Sequence, residues 1–168
     1  MNSFKKAAIE SVDSMAELYK EIADKIWDNP ELSLKEYKAA ELYCKVLKDH
    51  GFAVTEKLCG IDTAFCGSFG SGKPVIGILG EYDALSGLSQ KSGVTEKKPL
   101  VHDGSGHGCG KTSIAYKGIL CAGKVLAATA IDLMENDELL QEAKAEFEKR
   151  SAGGYVCPIE AGAKPIAL

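Results

Sequence analysis

The chain has 168 residues, 45% of them apolar, which is one domain's worth of polypeptide with enough apolar side chain to build a core without disulfide or metal staples. Its 20 basic and 24 acidic residues leave a net charge of −4, and Arg150 is its one arginine, so a protein built to neutralise phosphates or read bases is disfavoured. No uninterrupted apolar run approaches the roughly 18 residues of a spanning helix, and the opening MNSFKKAAIE carries no signal-peptide core; the expectation is no nucleic acid, no membrane and a cytoplasmic setting.

Apolar residues at Ala8, Val12, Met15, Tyr19, Ile22 and Ile26 recur with gaps of four and three, which predicts one helix with a buried face, stopped by Asn29-Pro30. Ser33 with Glu36 reads as a capping box that opens a second helix, running to about His50 and ending at Gly51. Three candidate strands follow: Phe52 to Leu58, Thr63 to Phe69, and Pro74 to Gly80. The last is continuously apolar, as in a central strand covered on both faces. Glu81 and Asp83 come directly after it, where open α/β sheets place their ligands.

From Ala84 to Gly110 the chain is rich in Gly, Ser and Lys without periodicity, a connection long enough to suggest function. It ends in a glycine-rich run holding His102, Asp103, His107 and Cys109. Imidazole, carboxylate and thiolate are the ligand types of zinc and related ions, and glycines let backbone wrap a small ion. The same stretch supports a rival reading, because Gly110-Lys111-Thr112 before a helix looks like the end of a phosphate-binding loop. Ser105 stands where that loop needs its first glycine, so a nucleotide-binding protein would have a degenerate loop. Lys111 to Glu135 reads as a helix, Asn136 or Asp137 caps another to about Arg150, and residues 151–168 form a tail. The six cysteines show no C-x-x-C pair and read as reduced thiols, most of them small core residues.

Three segments carry a family resemblance: Ile26 to Ser33 (IWDNPELS), Gly77 to Gln90 (GILGEYDALSGLSQ) and Gly106 to Gly110 (GHGCG). They resemble the metal-dependent peptidase and amidohydrolase family of the aminoacylases, most closely its p-aminobenzoyl-glutamate-hydrolysing branch. Lys111 to Leu133 also resembles that branch, where the corresponding block lies near the carboxyl terminus. The resemblance implies an α/β fold: a truncated α/β/α sandwich of the zinc-peptidase (phosphorylase/hydrolase-like) type, without the inserted dimerisation domain. Residues 1–150 would then be a partial catalytic domain that joins a family N-terminal part, 1–110, to family C-terminal helices, 111–150. A smaller sheet implies an exposed edge and self-association through it.

Carried over residue by residue, the resemblance implies Cys109 and Asp83 as metal ligands, with His107 as a third candidate, and Zn or Mn as the ion. The family reads Gly-His-x-Cys-Gly-His; here Lys111 replaces the final His with a cation that repels a metal ion. Glu81 replaces the His of a His-x-Asp pair. The adjacent glutamate pair that supplies the family's general base has no counterpart, and no histidine follows His107. The implied function is a hydrolase of small-molecule amides such as p-aminobenzoyl-glutamate, inactive in this shortened form; the alternative is a catalytically silent binding or assembly module.

Overall fold

The structure, a computed structural model, describes residues 2–108, 110–160 and 162–163. Two helices open the chain, α1 (Ser3–Ser14) and α2 (Ala16–Asp28), where the sequence predicts one. Met15, at φ −100° and ψ 10°, divides them. The two halves bury different faces. Val12 of α1 turns toward Gly123, whereas Ile22 and Ile26 of α2 pack on Ala39 with Leu18, Leu42, Tyr43, Val46 and Tyr82 around them. A break between them lets each helix follow its own partner.

Helix α3 (Tyr37–Asp49) begins three residues later than the capping box predicts. Its amino end is capped by Glu31, whose carboxylate accepts the Lys38 and Ala39 N–H groups at 3.1 and 2.9 Å. Glu36 is buried and accepts the Thr63 hydroxyl at 2.7 Å, so it serves the core in place of the helix end. Gly51, at φ +83°, ends α3 in the left-handed conformation its sequence position suggests.

Strands β1 (Ala53–Glu56) and β2 (Phe65–Ser68) pair antiparallel, Ala53 opposite Ser68 and Glu56 opposite Phe65. They lie inside the first two predicted strands. Tyr43, Phe65 and Tyr82 form a ring cluster with centroids 5.4 to 6.0 Å apart, and the Tyr82 hydroxyl donates to the Thr63 carbonyl.

Pro74 to Gly80 corrects the sequence reading. It is not a strand, and Val75, Ile78 and Leu79 stand largely exposed. A buried parallel strand needs a neighbour on each side to pair its backbone, and the described residues offer one two-stranded sheet. The cysteine reading is corrected too: Cys44 is buried, but Cys59, Cys66, Cys121 and Cys157 are exposed free thiols.

Helix α4 (Ser113–Glu135) starts at Thr112, whose hydroxyl accepts the Ala115 N–H at 3.2 Å. It runs against α1, tied by Lys5–Asp132 at 2.5 Å and Lys124–Asp13 at 2.6 Å, and against α2 through the Tyr116 hydroxyl on Asp24 at 2.6 Å. By length and composition it is apolar enough to cross a membrane, and none of its residues is buried. The sequence reading missed this because Lys117, Lys124 and Asp132 interrupt the run. Asn136 caps α5 (Asp137–Ser151), as expected, by accepting the Leu139 N–H at 3.1 Å. The whole is a mixed helical and small-sheet fold, compatible with a truncated α/β architecture.

Candidate functional site

The long connection after Asp83 is ordered by backbone pairing. Ala84 donates to the Glu31 carbonyl at 2.7 Å, and Leu85 and Gly106 exchange both backbone hydrogen bonds at 3.0 Å. Ser89 donates its N–H to the Gly104 carbonyl at 2.9 Å, and its hydroxyl accepts the Val101 N–H, also at 2.9 Å. The Ser105 hydroxyl donates to the Pro30 carbonyl at 3.0 Å. These bonds gather the turn after α2, the Asp83 segment and the glycine-rich run into one place.

Two glycines make that closeness possible. A Cβ at Gly106 would run into the Leu88 carbonyl, and one at Gly110 into the Trp27 indole. Glycine is required at both for approach rather than for an unusual φ.

Two of the three candidate ligands, Asp83 and His107, lie beside the paired Leu85 and Gly106 backbones. His107 is partly buried, and its Nε2 is buried without a hydrogen-bond partner. Burial holds the imidazole below its ordinary pKa, and the Asp83 carboxylate pulls partly the other way. A neutral imidazole nitrogen and a carboxylate whose charge reaches it are donor types suited to zinc or manganese. Cys109 lies outside the described residues. Among the described residues no group of three or more His, Cys, Asp and Glu side chains converges to hold a metal ion, so the described donors fit part of a metal shell. His102 and Asp103 pair with each other at 2.9 Å in solvent, and Glu81 is exposed.

Lys111, at φ +47°, places its ammonium 2.6 Å from both Asp28 carboxylate oxygens and 5.5 Å from the Trp27 ring centre. Asp28 and Trp27 are the residues sequence reasoning missed. They lie in a segment that carries the family resemblance, but no spacing rule ties them to a lysine 83 residues onward. A groove of about 450 Å³ between α3 and β2 lies elsewhere. It is bordered by the Lys48–Glu56 ion pair and by Cys44, whose thiol burial pushes up.

The chain is 45% identical over 101 residues to a p-aminobenzoyl-glutamate hydrolase subunit of Escherichia coli (strain K12), a match covering 60% of this chain and 21% of that protein. It is 33% identical over 144 residues to thermostable carboxypeptidase 2 of Saccharolobus solfataricus (strain ATCC 35092 / DSM 1617 / JCM 11322 / P2), covering 84% of this chain and 35% of that one. The chain thus spans about a third or less of the length of these curated relatives. No family model and no solved structure matches it.

Proposed function

For a chain related to the metal-dependent peptidases and amidohydrolases of the aminoacylase family, we propose the role of a shortened member that keeps part of a metal centre and is silent toward amide bonds. The observation that carries this is the buried, unpartnered His107 Nε2, on an imidazole that the Asp83 charge reaches. Asp83, His107 and Cys109 would hold a single Zn or Mn ion. When bound, the ion supplies Lewis acidity toward a carbonyl oxygen. Burial keeps His107 in the neutral form that a ligand must have. Lys111 is paired with Asp28 of α2, which partly neutralises its charge.

On this reading the family's glutamate pair has no counterpart: no two glutamates are adjacent in the sequence, and Glu81, two residues before Asp83, is exposed to solvent. Residues 1–110 read as the amino-terminal part of the family's catalytic α/β/α sandwich and 111–150 as its carboxyl-terminal helices, with 151–168 as a tail. The exposed thiols favour a reducing, cytoplasmic setting. The substrate class of the lineage would be a small amide such as p-aminobenzoyl-glutamate. Incubating the protein with that compound and Mn or Zn tests the reading. The expected result is no chelator-sensitive hydrolysis above background; turnover of about 1 per second or more would overturn it and make Glu81 the first candidate base.

The exposed apolar run at Val75, Ile78 and Leu79 favours a second reading, an assembly module that pairs this unpaired segment with the edge of another chain.

A further inference from the structure

Helix α4, with Lys111 before it, is tied to α1 and α2 by a row of polar contacts that runs antiparallel from one end of the seam to the other. Asn2 donates to Glu135, Lys5 meets Asp132 at 2.5 Å, and Asp13 meets Lys124 at 2.6 Å. Further along, the Lys20 ammonium lies 5.4 Å from the centre of the Tyr116 ring, whose hydroxyl donates to Asp24 at 2.6 Å. Lys111 closes the row on Asp28, also at 2.6 Å.

Little apolar burial lies beneath this row. Val12 is the buried residue of α1, and it turns toward Gly123; α4 and α5 contribute no buried residue. The α2–α3 side is built differently, with Ile22, Ile26, Ala39 and Cys44 buried. Local stability follows buried apolar contact, so α4, and α5 after it, should open before α2 and α3 do. What holds them is electrostatic and within reach of solvent: in the three ion pairs the lysines are 25 to 32% exposed and the carboxylates 44 to 54%. Such pairs are individually weak, and dissolved salt screens them together, because the screening length falls from about 30 Å at 0.01 M to about 3 Å at 1 M.

We propose that α4 and α5 form a salt-releasable arm: they open from α1 and α2 as a unit, ahead of the α2–α3 core, and ionic strength sets how often. This does not depend on the metal-centre reading. The test is hydrogen exchange of the full chain, read by mass spectrometry in sodium chloride at about 0.01 M and about 1 M. Peptides from α4 should exchange faster than those from α3 in both, and the α4 rate should rise several-fold with salt while the α3 rate stays constant. Lys124→Asp, which sets two carboxylates against each other, should raise the α4 rate several-fold at the lower salt, and adding Asp13→Lys should restore it; unchanged α3 exchange shows that each variant is folded. Protection of α4 equal to that of α3 would overturn the proposal. So would an α4 rate indifferent to salt in the unmodified chain, or a charge-swapped pair that exchanges as fast as Lys124→Asp alone.

Discussion

The Lys111 ammonium sits 2.6 Å from both carboxylate oxygens of Asp28, joining the end of α2 to the start of α4. This pairing changes the expected effect of a lysine at the position where the family resemblance implies a ligand, because its charge is already partly balanced. Lys111→His is predicted to strengthen zinc binding, by roughly ten-fold or more, while leaving amide turnover at background. It supplies a ligand and no base. The loss of a half-exposed ion pair should cost at most about 1 kcal/mol of stability. Metal titration and an amidase assay on one preparation check both halves; turnover gained from this substitution alone would contradict the account.

The α3 cap gives a second prediction. Glu31→Ala removes the acceptor for two helix N–H groups and should destabilise the protein by about 1 kcal/mol. Ser33→Ala, at the position a capping box would use, should be near neutral because Ser33 precedes the helix. Urea melts of the two variants decide it, and a larger loss from Ser33→Ala would contradict the structure.

Tyr82 supplies a pH dependence. Burial first, then the nearby Glu36 charge, pushes its phenol up to about 12. A pKa raised by folding above the ordinary value of about 10 means a stabilising contribution that is complete below pH 10 and lost as pH rises toward 12. Tyr116, whose hydroxyl donates to Asp24, is also raised to about 12. Ultraviolet titration of the six tyrosines should therefore show a late phase, and Tyr82→Phe should remove one phenol from it. Six phenols titrating together near pH 10 would refute this.

Mg-ATP and Mg-GTP should not raise the melting temperature. Ser105 occupies the glycine position of a phosphate loop. Lys111 is engaged by Asp28, and the Thr112 hydroxyl caps α4. A shift of several degrees that vanishes in Lys111→Ala would reverse this conclusion.

Local signals in the sequence were legible where a helix or turn depends on neighbours in the chain. The α2 and α3 faces, the Gly51 stop, the β1 and β2 segments and the Asn136 cap all follow from periodicity or capping chemistry. Features that depend on distant partners were not. Glu31 reaches α3 across a turn, so the nearer Ser33–Glu36 pattern misled. Pro74 to Gly80 has a strand's composition, but a strand also requires pairing partners. At the site, His107 and Asp83 were readable as ligand types, and the Leu85–Gly106 pairing that brings their segments side by side was not. The Asp28 partner of Lys111 carried no local signal.

The central claim is that this chain keeps a fragment of its family's metal centre. Zinc content after equilibrium dialysis tests it most directly, with the unmodified protein beside His107→Ala and Cys109→Ser. The account predicts a single weakly held ion per chain, largely lost in either variant. Two tightly held ions per chain, or a zinc content indifferent to both substitutions, would contradict it.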